Sequence, residues 1–276
     1  MRTIPKIYHL TWNIGSPMAM MQVFAVMSFH KYNPEWRIIL HLMKQTPQEL
    51  DKTVYVPPYT GTDYFYMVKE LDYVEIKNVD LVELGIDLDK SAILASDILR
   101  RRVLYEYGGV YSDSDVLWLK PMSAFANIDC IGDPNDFEEV VCFHKYTKSW
   151  HNVSVLISEP ESQFNLSIIE AGKKVRPPYL HQAFGTDLVN SLYPTWESIV
   201  GKFPRMLAVK YETFYPYGIL NVDQLFKATN LSLIDNKNVM CIHWWFGHHL
   251  TKEYLNAEDY HRECSMTSIL KMEGYL

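Results

Sequence analysis

The sequence predicts an α/β fold in which a mixed, mainly parallel sheet is flanked by helices. Apolar runs of strand length alternate with segments of helical periodicity. Apolar residues make up 48% of the 276 residues and charged residues 21%, so a packed core is expected. No repeat or low-complexity linker divides the chain, and we therefore expect a single domain over residues 1–276.

The first predicted elements are short. Apolar residues recur at helical spacing over residues 18–30, which predicts a helix there. Three apolar runs are predicted to be strands, and they cover residues 4–10, 36–42 and 73–76.

The clearest helix covers residues 91–107, where apolar side chains recur at steps of three and four. Gly108 and Gly109 then end it, because glycine readily adopts the left-handed backbone that closes a helix. Residues 110–111 are predicted to be extended, and two aspartates follow them. Further strands are expected over residues 116–119, 140–143 and 153–157, and further helices over residues 164–174 and 182–192.

Charge and hydropathy exclude several classes of partner. Lys and Arg number 26 against 33 Asp and Glu, a net charge of −7, which argues against broad binding of nucleic acid. We recognise neither a signal peptide nor an apolar run long enough to span a membrane, so a soluble, cytoplasmic protein is expected. The four cysteines have no C-x-x-C spacing, which argues against a zinc knuckle.

Two aspartates are the first candidates for chemistry. Asp113 and Asp115 lie where a short strand enters a turn. Carboxylates one residue apart point to opposite faces within a strand, but at a strand end both can approach one hard cation. A lone D-x-D pair more often belongs to a solvated turn, so the preceding helix decides how the pair is interpreted.

That helix carries a second polar group. Ser96, Asp97 and Arg100 lie within it. Asp97 and Arg100 are spaced i and i+3, so they share one face of the helix. The next residues, Arg101 and Arg102, are expected to point elsewhere, into solvent.

The whole segment resembles the sugar-nucleotide-binding D-x-D signature of a glycosyltransferase family. This family includes yeast initiation mannosyltransferases, bacterial capsule enzymes and the clostridial glucosylating toxins. Its pattern, S-D-x-L-R followed by G-G-x-Y-x-D-x-D, is met at residues 96–100 and 108–115. Shorter matches lie at residues 4–12, 33–36 and 214–216 and at His243, so the resemblance spans most of the chain.

The resemblance implies a Rossmann-like, single-domain fold of the GT-A type. The nucleotide sugar would bind to a part over about residues 1–120, and about residues 121–276 would bind the acceptor and close over the metal. The implied reaction moves a hexose from a nucleotide sugar to a glycan or other hydroxyl acceptor and retains the anomeric configuration. UDP-hexose is the favoured donor and GDP-mannose the second choice. The departing diphosphate would help to deprotonate the acceptor, so no dedicated nucleophile is required.

The resemblance also assigns residues to the donor. Trp12 would stack on the nucleotide base. Asp97 would accept hydrogen bonds from sugar hydroxyls, and Arg100 would pair with sugar or phosphate oxygens. The remaining predicted contacts of the nucleotide sugar are Ser96, Tyr111, Asp113 and His248. The predicted catalytic residues are Asp97, Arg100, Asp113 and Asp115.

A divalent cation, Mn²⁺ or Mg²⁺, is implied as cofactor, where it would neutralise the leaving diphosphate. Asp115 would bind it directly, Asp113 would contact it or the sugar, and His243 matches a late metal ligand of the family. The family ending H-x-x-x-G-S-W is altered here, because His248 stands where Ser is expected and His249 where Trp is expected. Imidazole can bind a metal or donate to phosphate, so the function can survive this change.

Two alternatives remain open. Phosphatases of the haloacid-dehalogenase type also use D-x-D, with the first Asp as nucleophile. They need an apolar strand leading directly into that Asp, a later Lys and a second acidic pair, and none of these is clear in the sequence. The altered ending instead suggests a protein that binds a sugar nucleotide without turnover. Free phosphate, a transferred sugar or binding alone distinguishes the three functions.

Overall fold

A computed structural model describes residues 4–44, 58–83, 85, 92–143, 152–177, 179–180, 182–258 and 260–276. The strands are β1 Ile7–Asn13, β2 Arg37–Met43, β3 Val74–Val79, β4 Gly109–Ser112, β5 Val116–Trp118, β6 Cys130–Ile131, β7 Glu139–Phe143, β8 Val155–Ser158, β9 Met206–Lys210 and β10 Cys241–His243. The α-helices are α1 Met20–Tyr32, α2 Phe65–Glu70, α3 Ala92–Tyr107, α4 Gln163–Gly172, α5 Thr186–Leu192, α6 Trp196–Val200, α7 Val222–Phe226, α8 His249–Ala257 and α9 Ser265–Met272.

Eight of the strands form one sheet in the order β3-β2-β1-β4-β8-β7-β9-β6. The first four run parallel to one another. β8 is antiparallel to both of its neighbours, β7 and β9 are parallel, and β6 is antiparallel to β9. β5 and β10 pair separately as an antiparallel ribbon. The predicted α/β class, with a mixed, mainly parallel sheet and flanking helices, is confirmed.

The predicted elements recur with shifted boundaries. The strand expected over residues 4–10 is Ile7–Asn13, because Thr11, Trp12 and Asn13 continue the parallel pairing with β2. The helix expected over residues 91–107 is Ala92–Tyr107, and residue 91 lies outside the described residues. The helix expected over residues 182–192 begins at Thr186.

Two glycines shape the entry to β4. Gly108 and Gly109 have φ angles of +64° and +101°, in the region that side chains strongly disfavour. The amide of Gly108 donates to the carbonyl of Leu104 at 2.8 Å and closes α3. A Cβ at Gly109 would collide with the carbonyl oxygen of Ile7, so β4 can approach β1 this closely because glycine stands there.

Aromatic side chains hold α1 beneath the end of β4. The rings of Tyr8 and Phe29 stack with centroids 3.7 Å apart, and both are fully buried. Tyr8 shares a hydrogen bond with the Ser112 hydroxyl and accepts one from the indole of Trp118. This buried cluster therefore fixes both sides of the turn that carries the two aspartates.

None of the helices in the described ranges is long and apolar enough to cross a membrane. The four cysteines are free thiols, and three of them are buried.

Candidate functional site

The two aspartates and His243 meet at the end of β4. Antiparallel pairing sets His243 of β10 opposite Val116 of β5, directly after Asp115. One ligand atom each from Asp113, Asp115 and His243 lies within 4.8 Å of the others. In the described part of the chain this is the one group of three or more His, Cys, Asp or Glu side chains that could hold a metal ion.

Hydrogen bonds and burial shift the pKa values of the two carboxyl groups in this cluster. Asp115 Oδ1 lies 3.0 Å from His243 Nε2, and Asp115 Oδ2 accepts a hydrogen bond from the amide of Phe246 at 2.7 Å. Burial alone would raise the pKa of Asp115, but His243 and this amide hold it below its usual value. Burial raises the pKa of Asp113 despite the nearby guanidinium of Arg100. His243 Nδ1 is buried and has no hydrogen-bond partner among the described residues.

Arg100 connects this cluster to α3. Its Nη2 lies 2.9 Å from Asp97 Oδ1 and 3.1 Å from Asp113 Oδ1, and its Nη1 donates to the carbonyl of Val153 at 2.7 Å. The predicted common face of Asp97 and Arg100 is thus observed. Burial raises the pKa of Asp97 to about 6, although Arg100 opposes the change.

The side-chain hydroxyls of Thr11, Ser96 and Tyr111 extend the hydrogen-bond network around Asp113. The Tyr111 hydroxyl donates to Asp113 Oδ1 at 3.0 Å and lies 3.0 Å from the Ser96 hydroxyl. Thr11, at the end of β1, shares hydrogen bonds with both hydroxyls. The structure therefore brings Ser96, Asp97, Arg100, Tyr111, Asp113, Asp115 and His243 together, as the sequence predicted, while their roles stay predictions.

Trp12 and His248 lie at the margins of the site. Trp12 lies near the carboxyl end of β1 and is 8% exposed. Its indole N–H donates a hydrogen bond to the carbonyl of Ser16 at 3.1 Å. His248 begins α8, and its Nδ1 accepts a hydrogen bond from the amide of Leu250 at 3.3 Å. Burial lowers the pKa of His248, and the neighbouring His249 lowers it further.

Lys252 was not singled out from the sequence, although it lies one helical turn after His248. It is 4% exposed, and its Nζ is 3.0 Å from the ring centroid of Phe246. Burial lowers the pKa of its ammonium to about 7, while the charge of Asp115 opposes this shift. The spacing of His248 and Lys252 on one helix face is the signal that could have found it.

The expectation that Arg101 is solvated is wrong. Arg101 is 2% exposed, and its Nη1 lies 2.5 Å from Glu139 Oε1 and 2.8 Å from Asn165 Oδ1. The reason is that α3 packs against both the sheet and α4, so a face that looks polar in sequence is covered. Arg102 is partly exposed.

Residues 21–138 match the model of a family described as the glycosyltransferase sugar-binding region containing DXD motif. The motif Asp113–Asp115 and the Asp97–Arg100 pair both lie inside the matched segment. This segment of the chain is similar to a glycosyltransferase sugar-binding region. No curated protein matches the chain by sequence.

Several solved glycosyltransferase structures are similar to this one. PaToxG glycosyltransferase is 15% identical, with a TM-score of 0.49 over 73% of this chain and 70% of that chain. An active-site mutant of LgtC is 15% identical, with a TM-score of 0.49 over 98% of this chain and 96% of that chain. GlyE of Streptococcus pneumoniae TIGR4 is 11% identical, with a TM-score of 0.49 over 99% of this chain, which spans 64% of GlyE.

Proposed function

We propose that the protein is a metal-dependent, retaining glycosyltransferase that moves a hexose from a nucleotide sugar to a hydroxyl acceptor. One juxtaposition carries the proposal: the cluster of Asp113, Asp115 and His243 adjoins the Asp97–Arg100 pair at one end of the sheet. Transfer from a sugar diphosphate needs positive charge beside the diphosphate and fixed polar groups beside the sugar. A cation held by the cluster would supply the first, and the Asp97–Arg100 pair would supply the second.

Asp113, Asp115 and His243 would hold the cation. Their carboxylate oxygens suit Mn²⁺ and Mg²⁺, and imidazole is also a ligand for Mn²⁺. The ligand atoms are close enough to share one ion. Burial opposes the charged form of Asp115, but His243 and the amide of Phe246 lower its pKa, which favours the carboxylate that a cation needs. When bound, the cation supplies a charge that neutralises the leaving diphosphate.

The Asp97–Arg100 pair would hold the donor sugar. Both side chains are buried, so their orientation is fixed before the sugar arrives. Arg100 is held by Asp97, Asp113 and the carbonyl of Val153, which leaves it little freedom to lose on binding. The Ser96 hydroxyl accepts a hydrogen bond from Arg100, and the Tyr111 hydroxyl donates one to Asp113.

We infer the following transfer step for a retaining enzyme. The bond between the anomeric carbon and the diphosphate oxygen breaks, and its electron pair leaves with the diphosphate. The acceptor hydroxyl attacks the anomeric carbon from the same face and forms the glycosidic bond, while its proton passes to the released diphosphate. Lys252 lies buried near Asp115, where its ammonium would stabilise the charge that develops on the diphosphate.

The proposal also assigns a residue to the nucleotide base. Trp12 would stack on uracil, with UDP-hexose as first donor and GDP-mannose as second.

We also infer one domain, with a nucleotide-sugar part over about residues 1–120 and an acceptor part over about residues 121–276. Pairing of β4 with β8 and of β5 with β10 joins these two parts and supports that inference.

A panel of nucleotide sugars, with and without Mn²⁺, tests the function. We expect UDP-glucose or UDP-galactose with Mn²⁺ to raise the melting temperature most, because a ligand that binds the native state stabilises it. Incubation with an acceptor mixture should then release UDP and yield a glycosylated product. Release of inorganic phosphate would favour a phosphatase, and a thermal shift without turnover would favour a binding protein.

A further inference from the structure

Trp245 has a backbone conformation that large side chains rarely adopt. Its φ angle is +57°, in the left-handed region, and it follows the proposed metal ligand His243 by two residues. A bulky residue is strained in this region, whereas glycine enters it without strain. Strain of this kind is concentrated at sites of ligand binding and catalysis, so Trp245 points to a function beyond the metal cluster.

The left-handed turn keeps the chain after β10 against Asp115. The amide of Trp244 donates to the carbonyl of Asp115 at 2.9 Å, and the amide of Phe246 donates to Asp115 Oδ2 at 2.7 Å. Trp245 lies between these two residues, and its own carbonyl accepts a hydrogen bond from the amide of His248 at 2.8 Å. Glycine at this position would allow the same turn without strain. The backbone alone therefore does not explain the presence of a tryptophan.

The indole ring of Trp245 is fixed beside the metal cluster and remains partly exposed. Its N–H donates to the carbonyl of Tyr217 at 2.7 Å. Its ring centroid lies 4.1 Å from that of His243 in an edge-on contact and 6.0 Å from that of Tyr215. Because the N–H is already bonded, the exposed part of the ring offers a ligand apolar aromatic surface and no further hydrogen-bond donor.

The metal cluster is approached from two sides, which we call the α3 flank and the β10 flank. On the α3 flank, Asp113 Oδ1 lies 3.1 Å from Nη2 of Arg100, which belongs to the pair assigned to the donor sugar. On the β10 flank, Asp115 Oδ1 lies 3.0 Å from Nε2 of His243, whose ring contacts Trp245. Trp245 is therefore next to the cluster on the β10 flank, and the groups assigned to the donor sugar are on the α3 flank.

The proposed transfer step decides which substrate the Trp245 ring can contact. Retention requires the acceptor hydroxyl to reach the anomeric carbon from the face that the diphosphate leaves. The diphosphate is assigned to the β10 flank, because Lys252 is buried there and interacts with the charge of Asp115. The acceptor consequently lies beside the β10 flank, while the donor ring extends toward the α3 flank.

We propose that Trp245 is the binding platform for an acceptor saccharide. The C–H face of one pyranose ring stacks on the exposed part of the indole, and this contact orients the hydroxyl that attacks the donor. The inference rests on the proposed function, because it uses the assigned positions of the donor sugar and the diphosphate. A ring held by Tyr217 and His243 loses little freedom when the saccharide binds. The acceptor contact also explains why a strained tryptophan occupies a position suited to glycine.

Saturation-transfer NMR on the full chain, loaded with UDP and Mn²⁺, tests the platform. The probes are methyl β-D-glucopyranoside, methyl β-D-galactopyranoside and methyl α-D-mannopyranoside, and glycerol controls for hydroxyl groups without a ring. We expect one glycoside or more to bind at least about tenfold more tightly than glycerol. Equal affinity for the glycosides and glycerol, in a chain that binds UDP with Mn²⁺, would overturn the proposal and leave the proposed function standing. A wild-type chain that does not bind UDP with Mn²⁺ would refute the proposed function, and this inference with it.

Variants locate the contact. Trp245→Leu should weaken binding of the glycoside about tenfold or more, since removing a central aromatic contact often has such an effect, and Trp245→Phe should restore most of the affinity. Trp196→Leu is the matched control, because Trp196 is also partly exposed but lies in α6 and packs against a different apolar cluster.

The two affinities of Trp245→Leu separate a substrate contact from a structural role. Its loss of glycoside affinity should exceed any change in its affinity for UDP with Mn²⁺. Equal losses of both ligands would mean that the ring only supports His243, and would overturn the proposal. Glycoside binding as tight as that of Trp196→Leu would overturn it as well.

Discussion

Replacing Gly109 by alanine should damage the fold more than the same change at two other glycines. Gly109 has a φ of +101°, and a Cβ there would collide with the carbonyl oxygen of Ile7 in β1. Gly15 has a φ of +85°, but a Cβ would meet nothing within 4 Å. Gly247 has neither a positive φ nor a neighbour within that distance. The three sites therefore separate backbone strain from collision.

The magnitudes follow from this separation. Gly247→Ala should change the free energy of unfolding by less than about 0.5 kcal/mol, as surface changes usually do. Gly15→Ala should cost about 1–2 kcal/mol, the strain of a side chain in left-handed backbone. Gly109→Ala adds a collision with a backbone atom that no side-chain rotation relieves. We therefore expect a loss of about 3 kcal/mol or more, together with displacement of β4 and the aspartates it carries.

Urea unfolding at constant pH, followed by far-ultraviolet circular dichroism, gives the three values, provided that the slope m is unchanged. The donor-dependent thermal shift of Gly109→Ala should also fall, because β4 positions Asp113. Equal losses for Gly109→Ala and Gly15→Ala would refute the reasoning, since the collision with Ile7 would then have no energetic weight.

Three further predictions concern the site. Asp97→Asn should weaken UDP-glucose more than UDP, because Asp97 faces the sugar; calorimetry that finds equal losses would show a structural role. Wild-type affinity for UDP with Mn²⁺ should decline as pH rises through about 7, because Lys252 loses its charge there, whereas Lys252→Met should lack that decline. A wild-type profile that stays flat between about pH 6 and 8 would contradict this. His243→Ala should abolish the Mn²⁺ dependence of UDP binding, and His248→Ala should weaken UDP binding without changing that dependence; wild-type binding by both variants would show that these two histidines are only structural.

Sequence patterns predicted the parts of the fold that are encoded locally. The helix α3 and the glycine turn after it were predicted within one residue of their observed positions, because periodicity and left-handed backbone are properties of neighbouring residues. The common face of Asp97 and Arg100 follows from the helix alone, whereas Asp113 was joined to them by the family resemblance and is placed by the pairing of β4 with β1 and β8.

Long-range contacts were harder to predict. The short strand β10 pairs with β5 across more than a hundred residues, and no local pattern encodes that pairing. His243 was assigned to the cluster by family resemblance instead. Arg101 was wrongly expected in solvent, because its burial depends on Glu139 and Asn165, which β7 and α4 bring to it. Lys252 was not predicted, because its burial also depends on long-range contacts, in this case on the packing of α8.

Mn²⁺-dependent binding of UDP tests the central claim most directly. Calorimetric titration of UDP should be carried out with Mn²⁺ and with chelator, on the wild-type chain and on Asp115→Ala. We predict tight binding by the wild-type chain with Mn²⁺ and a loss of about a hundredfold or more with chelator, since the ion supplies several kcal/mol. Asp115→Ala should bind UDP weakly and equally in both conditions while its circular dichroism spectrum is unchanged. Wild-type binding that ignores Mn²⁺, or an Asp115→Ala chain that keeps the Mn²⁺ dependence, would contradict the assignment of Asp113, Asp115 and His243 as the metal centre.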